Sequence, residues 1–480
     1  MTRIRLVFIA ILLSTPVCAS GGATTSTALQ KRPNVVFVLA DQWRAQAMGY
    51  AGDPNVKTPN LDRLESVSVN FTHAVSGLPV CSPCRASLLT GQRATTHGVF
   101  LNDAHLQDDA VTFAEVLGAA GYDTGIIGKW HLNGHGRLSF IPREHRQGFD
   151  YWKVMECTHA YNNSYYYGDG PEKLLWPGYD AAAQTADARA YIRQHSRGEK
   201  PFVLCLWWGP PHNPYGTAPE RFKAMYDPAA LKLRPNVPPA YEGAARKDLA
   251  GYYAHCSALD ECIGELLKTI RDCGIENDTL VIFSSDHGDM LYSNGYNRKQ
   301  KPWDESIRVP MLWHYPAALG AKGKRLDALM SSEDVMPTLL GLCNVPAPKA
   351  LEGLDYSGYM RGVSENPNRD NAALISCVAP FAEYNRLVGG KEFRGIRTDR
   401  YTYVRDLNGP WLFYDNQVDE YQQHNLAGSP QAAEAQAKLD ALLTTRLKAA
   451  GDEFKPAQHY LEKWGYQDRV NKTGALPSDP

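Results

Sequence analysis

The chain has 480 residues, enough for one large α/β domain with a smaller appendage. Its composition, 44% hydrophobic and 21% charged, is that of an ordinary globular protein. A formal net charge of −2 lacks the basic excess of a nucleic-acid binder. Arg3 and Arg5 precede an apolar run from Leu6 to Leu13, and Val17-Cys18-Ala19 supplies a small-residue cleavage site. This predicts a secretory signal peptide over 1–19 and an exported product, periplasmic or secreted. The run is too short to span a bilayer, and no later segment reads as a membrane span. Val17 is bulkier than the residue that usually precedes a lipid-modified cysteine, which argues against an anchor at Cys18. Setting aside Cys18 and Cys81, the remaining eight cysteines show no disulfide framework and no metal pair.

In chain order, 34–40 (NVVFVLA) is a continuous apolar run, the pattern of a strand buried on both faces, and it ends in Asp41-Gln42. Helices are predicted over 58–69 and about 112–120. A second strand over 122–128 runs into Lys129-Trp130-His131, where alternation predicts that Lys129 and His131 share a face. A helix over 180–194 precedes a strand over 201–208 that leads to Pro210-Pro211-His212. The long helix predicted over 247–273 stops at Gly274, and the strand over 279–284 ends near Asp286-His287. This alternation predicts an α/β fold, a large mostly parallel or mixed sheet flanked by helices, spanning 32–370. The functional crevice of such a sheet lies outside the carboxyl ends of its strands, where each of these polar clusters falls. After about 370 the pattern changes. Strands within 394–406 and 411–414, joined at Asn408-Gly409, and a helix over 431–447 predict a C-terminal α+β subdomain over 371–450 with a short antiparallel sheet. Residues 451–480 lack periodicity and read as an extended tail or an arm over the site.

Residues 81–91 read Cys-Ser-Pro-Cys-Arg-Ala-Ser-Leu-Leu-Thr-Gly. The string resembles the maturation signature of type I sulfatases of the alkaline phosphatase superfamily, C-x-P-x-R followed by T-G. In that family the first cysteine, here Cys81, is oxidised to Cα-formylglycine. The hydrated aldehyde carries two hydroxyls on one carbon: one attacks sulfur, and the other then expels the sulfate and regenerates the aldehyde. Gly128-Lys129-Trp130-His131-Leu132 resembles a second signature of the same family. The resemblance implies that Arg85 stabilises the hydrate and reaches the metal ligands. It further implies that Lys129 grips a sulfate oxygen, that His131 takes a proton from the second hydroxyl, and that His212 protonates the leaving alcohol. Lys299 precedes Trp303-Asp-Glu-Ser-Ile-Arg-Val-Pro310 in the family register, and the nearby Lys301 keeps that choice open.

The implied metal ligands are Asp41, Gln42, Asp286, His287 and the formylglycine at Cys81, a set suited to a hard cation, calcium first and magnesium second. Gln42 departs from the family's two consecutive aspartates, which removes one negative charge. Glu156, His159 and Tyr161 fall in an aromatic and polar segment, 151–167, suited to stacking on a sugar ring. Together these features predict a sulfuric ester hydrolase acting on a sulfated carbohydrate, with a formylglycine-generating or anaerobic maturation enzyme as its partner. The alternatives are a phosphonate monoester or phosphodiester hydrolase of the same superfamily, and a non-catalytic glycan-binding member.

Overall fold

The computed structural model describes residues 32–478, so the signal-peptide reading at 1–19 lies outside the described residues. Fourteen strands are described: β1 Asn34–Asp41, β2 Val69–Phe71, β3 Asp123–Lys129, β4 Tyr151–Met155, β5 Tyr165–Tyr166, β6 Leu174–Leu175, β7 Phe202–Pro211, β8 Thr279–Ser285, β9 Met311–His314, β10 Lys324–Leu326, β11 Ala372–Cys377, β12 Phe393–Thr398, β13 Tyr401–Asp406 and β14 Gly409–Asp415. Eight of them form one mixed sheet in the order β10-β2-β9-β8-β1-β7-β3-β4. Only β9 runs antiparallel to its neighbours. The predicted strands are all present, each a residue or more longer at its carboxyl end.

The sheet is buried on both sides because β1 is apolar at every position from Val35 to Ala40. Val35, Phe37 and Leu39 face one hydrophobic layer, shared with helices Cys81–Thr90, Phe113–Ala119 and Val335–Leu342. Val36, Val38 and Ala40 face the opposite layer, packed by helices Asp180–His195 and Glu242–Asp272. Each fully buried valine, leucine or phenylalanine contributes about 1.5–3 kcal/mol, so the register of β1 is strongly specified. The helix predicted over 58–69 ends at Glu65, and the residues after it turn into β2 instead.

β11 to β14 form a separate antiparallel sheet in sequential order. The 394–406 run divides into β12 and β13 around Asp399-Arg400, and β11 joins from a segment that carries no clear sequence signal. Leu439, Leu443 and Leu447 of helix Ala433–Ala449 pack on Ile396, Tyr403 and Phe413 of this sheet. Residues after 450 are not wholly extended: Ala457–Lys463 is a helix, and Tyr460, Tyr466 and Leu476 join the main core. Among the described residues no helix is long and apolar enough to cross a membrane.

Gly128 of β3 pairs with Trp207 of β7. Its φ is +112°, and a Cβ there would lie 2.1 Å from the Trp207 carbonyl oxygen. Gly128→Ala therefore adds backbone strain of about 1–3 kcal/mol to a direct clash. The urea midpoint of this variant should fall by the equivalent of at least about 2 kcal/mol, and its near-ultraviolet circular dichroism should weaken.

Candidate active site

Four neighbouring parallel strands, β8, β1, β7 and β3, end at the same rim of the sheet. They deliver Asp286-His287, Asp41-Gln42, His212 and Lys129 to one place. Helix Cys81–Thr90 enters with its N-terminus at this rim and is buried along its whole length. Its free amides and positive dipole end therefore face the same point.

Arg85, fully buried, holds the two carboxylates together. One guanidinium nitrogen lies 3.2 Å from Asp41 Oδ2 and 3.0 Å from Asp286 Oδ2, while another donates to the Lys129 carbonyl at 2.8 Å. The remaining oxygens, Asp41 Oδ1 and Asp286 Oδ1, each lie 3.6 Å from His287 Nε2. Cys81 Sγ is 3.3 Å from the same His287 nitrogen and 3.6 Å from Asp41 Oδ1. His287 Nδ1 donates to the Gly288 carbonyl at 2.9 Å, which leaves the Nε2 lone pair turned inward as a potential metal ligand. Asp41, Cys81, Asp286 and His287 thus bring four potential ligand atoms within 4.8 Å of one another. Gln42 Oε1 is buried and has no hydrogen-bond partner among the described residues, while the amide nitrogen of Gln42 donates to Asp289 at 2.7 Å. An orphaned carbonyl beside two carboxylates and an imidazole fits a hard divalent cation. Gln42 has φ +69°, a left-handed turn that redirects the chain at the end of β1.

Lys129 Nζ lies 2.6 Å from Asp41 Oδ2, and Lys299 Nζ lies 3.1 Å from Cys81 Sγ and 2.9 Å from His212 Nε2. Burial raises the Asp41 carboxyl, but Lys129, His212 and Arg85 outweigh it and hold the group well below the carboxylate range. Asp286 is pushed up by burial and by the Asp41 charge. Burial and Asp41 also raise the Cys81 thiol, yet Lys129, Lys299 and His287 prevail and hold it well below the ordinary thiol range. Cys84 behaves oppositely: it is buried against Ser332, 3.2 Å away, and its thiol is pushed up to about 12.

The structure separates the two lysines left open by the sequence. Lys299 points at Cys81, whereas Lys301 bonds the Lys299 carbonyl at 2.7 Å and lies over the Tyr384 ring. Lys129 and His131 both line the pocket with Cys81, but not through strand alternation. β3 ends at Lys129, and His131 reaches inward from a left-handed backbone, φ +63°. His131 Nε2 pairs with Asp103 at 3.0 Å, and Arg137 grips the same carboxylate through two contacts of 2.7 Å. Burial lowers the His131 pKa, but Cys157 and the Asp103 bond win, raising it to about 9. His212 differs from the expected free acid. Burial and Lys299 lower its pKa well below the usual histidine range, so the neutral ring accepts from Lys299 at Nε2 and faces the Asn213 carbonyl with Nδ1.

Of the three residues expected to bind sugar, only His159 lines the pocket, stacked on His212 with ring centroids 4.6 Å apart. Glu156 and Tyr161 are corrected to supporting roles. The Glu156 carboxylate is buried and accepts backbone amides of Leu132, Asn133 and Gly134, shaping the loop that carries His131. The Tyr161 ring is fully buried, with its hydroxyl toward the Gly209 and Asn213 carbonyls. Sequence reasoning missed Asp103, Arg137 and Arg298, which line the cavity of about 680 Å³ above Cys81. Asn471 and Leu476 to Ser478 form one wall of it, so of the two readings of 451–480 the arm over the site agrees with the structure. No local pattern distinguishes these residues from surface loop.

A mixed sheet with this strand-end site, together with a small C-terminal antiparallel sheet, defines a sulfatase of the alkaline phosphatase superfamily. The chain belongs to the sulfatase family: residues 33–345 match the Sulfatase family model, and 293–449 match that of the N-sulphoglucosamine sulphohydrolase C-terminal region. It is 47% identical over 450 residues to an ulvan-active sulfatase of Formosa agariphila, covering 93% of this chain and 87% of the relative. It is 28% identical to an endo-4-O-sulfatase of Bacteroides thetaiotaomicron, covering 82% and 88%. A Bacteroides fragilis structure named as the sulfatase yidJ superposes with a TM-score of 0.80 at 27% identity, over 89% of this chain and 98% of that one.

Two outcomes follow from the buried charges. Arg85→Met leaves two carboxylates without their shared cation and should cost about 3–5 kcal/mol in urea unfolding. The raised His131 pKa adds stability that is fully present below about 6.5, the unfolded value, and is lost as pH rises through about 9. Wild-type Tm should therefore fall between these pH values, and Asp103→Asn should flatten that fall.

Proposed function

We propose that the chain is a formylglycine-dependent, metal-dependent sulfuric ester hydrolase that removes sulfate from a sulfated carbohydrate, with ulvan as the first candidate. The observation that carries this reading is the position of Cys81. It opens a buried helix, 3.1 Å from Lys299 and within reach of two carboxylates that Arg85 pins in place. Cys81 Sγ marks where the oxygens of a matured, hydrated formyl group would stand. Maturation supplies a nucleophilic hydroxyl for attack on sulfur and a second hydroxyl for expelling sulfate.

The chain's own groups have distinct tasks. Lys129 and Lys299 are buried ammoniums placed to bind sulfate oxygens, where charge stabilisation is usually the largest catalytic contribution. Asp41, Gln42, Asp286 and His287 would hold a calcium or magnesium ion, which supplies Lewis-acid polarisation of the sulfate group. His131, held by Asp103 through Nε2, has Nδ1 without a partner, and that nitrogen, once deprotonated, accepts the proton of the second hydroxyl. The hydrogen-bonded Lys299–His212 pair is the proton source for the leaving oxygen. This assignment replaces His212 acting alone. His159 extends the His212 stack toward the open cavity, where a sugar ring can lie. The substrate reading is supported by the 47% identical ulvan-active relative and by a roomy pocket rather than a closed one. An extracellular polymer as substrate agrees with the signal-peptide reading of 1–19, and activity requires a formylglycine-generating or anaerobic maturation partner.

The test is peptide mass spectrometry of the active enzyme from a host able to mature it, alongside sulfate release from ulvan and other sulfated glycans. Cys81 should carry the aldehyde and Cys84 should remain a thiol. Cys81→Ala should abolish turnover, whereas Cys84→Ala should keep most of it. Lys129→Ala and Lys299→Ala should each lower kcat by about 10²-fold or more, the scale of losing one oxyanion donor. Active enzyme with an unmodified Cys81 thiol would refute the mechanism. Chelation should lower activity and calcium or magnesium should restore it.

A further inference from the structure

Three histidines outside the catalytic constellation meet where the 103–108 and 131–146 segments touch. Ring centroids of His105 and His145 are 5.1 Å apart, those of His105 and His135 5.4 Å, and those of His135 and His145 5.6 Å. One ring nitrogen from each lies within 4.8 Å of the others. The local sequence is shaped for this convergence. Asn133-Gly134-His135-Gly136 turns through two left-handed glycines, φ +67° and +96°. A Cβ at Gly134 would sit 2.5 Å from the His105 backbone nitrogen, so only glycine lets the loop close on His105.

A single residue fixes which nitrogens are available. His105 Nδ1 faces the Asn133 backbone oxygen at 2.8 Å, and His145 Nδ1 faces the Asn133 side-chain oxygen at 2.9 Å. Both oxygens are acceptors, so both Nδ1 atoms carry the proton and both Nε2 atoms present lone pairs. Both Nε2 atoms face one carboxylate oxygen, Asp108 Oδ1, 3.0 Å from His105 Nε2 and 3.7 Å from His145 Nε2. A cation seated between them would be shared by both rings and the carboxylate. His105 and His145 are about one-fifth exposed and Asp108 is 62% exposed, so an ion can enter from solvent.

We propose that His105, His135, His145 and Asp108 form a second metal site, separate from the catalytic one, that takes a borderline transition cation, zinc first. Three imidazoles and one carboxylate are a tetrahedral zinc set, unlike the oxygen-rich set around Asp41 that suits calcium or magnesium. Zinc–nitrogen bonds of about 2.0–2.1 Å require the ligand atoms to draw in by about an ångström, which exposed loop side chains can do. The ion would pin the segment carrying Asp103 to the segment carrying His131 and Arg137. Its role is positional: it would hold the His131–Asp103 pair in register at the pocket.

The test uses the full-length chain, stripped of transition metals and then saturated with calcium. Zinc is titrated calorimetrically and bound zinc is counted by elemental analysis after desalting. The expected result is about one additional zinc per chain, retained in Asp41→Asn and weakened at least ~10-fold in the double variant His105→Gln/His145→Gln. A wild-type chain that takes up no zinc, or zinc lost in Asp41→Asn but kept in the double variant, would overturn the site. Should the double variant fail to fold, Co²⁺ bound to the wild type decides. Tetrahedral visible bands without thiolate charge transfer support the three-histidine site, whereas octahedral or thiolate-bearing spectra contradict it.

Discussion

Two carboxylates, Asp41 and Asp286, stand fully buried at the ends of adjacent strands, and the rest of the site is arranged around that charge. Taking ions out of water costs several kcal/mol each, which only close, well-oriented partners can offset. Arg85 supplies the partner, with one guanidinium reaching both aspartates and the Lys129 carbonyl. Because Arg85 lies one turn along the helix that Cys81 begins, the same helix that presents the reactive position neutralises the carboxylates. Lys129 and Lys299 then bring two more buried cations, so the centre without substrate is rich in positive charge and disposed to accept an anion. One oxygen of each carboxylate is engaged by Arg85, and the other lies 3.6 Å from His287 Nε2, with Asp286 Oδ1 also accepting the Gln42 backbone N–H.

The sheet order makes this possible. β8, β1, β7 and β3 are consecutive and parallel, so residues from 41 to 287 reach one rim without long loops. Loops finish the job where strands cannot. Glu156 braces the backbone of 132–134, Asp103 and Arg137 seat His131, and the 471–478 stretch walls the cavity. The chemistry therefore sits on rigid strand ends, and the substrate-facing wall is made of segments free to vary in shape.

What could be read from sequence follows this division. β1, β7 and β8 were legible because burial on both faces demands long apolar runs, and β3 because its short apolar run follows a predicted helix; the polar residues just past all four had to converge. Cys81 and Arg85 could be placed together because the C-x-P-x-R spacing sets them one turn apart on one helix. Glu156 and Tyr161 were misread as sugar contacts. Sequence shows polar and aromatic residues in a loop but not which way they turn, and both turn inward to satisfy backbone groups. The pairing of His212 with Lys299 was equally invisible, since the two lie 87 positions apart. The helix Ala457–Lys463 was missed because its few apolar residues, Ala457, Tyr460 and Leu461, pack against a distant core.

The charge arrangement around Cys81 favours a sulfate monoester, whose three terminal oxygens can meet Lys129, Lys299 and a bound cation together. A phosphodiester or phosphonate monoester carries an organic substituent that would crowd one of these positions. The most direct test is kcat/KM of the matured, metal-replete chain on aryl sulfate, phosphonate monoester and phosphodiester substrates with the same leaving group, extended to sulfated sugars. The account predicts a clear preference for sulfate monoesters. A preference for the diester or the phosphonate would contradict it.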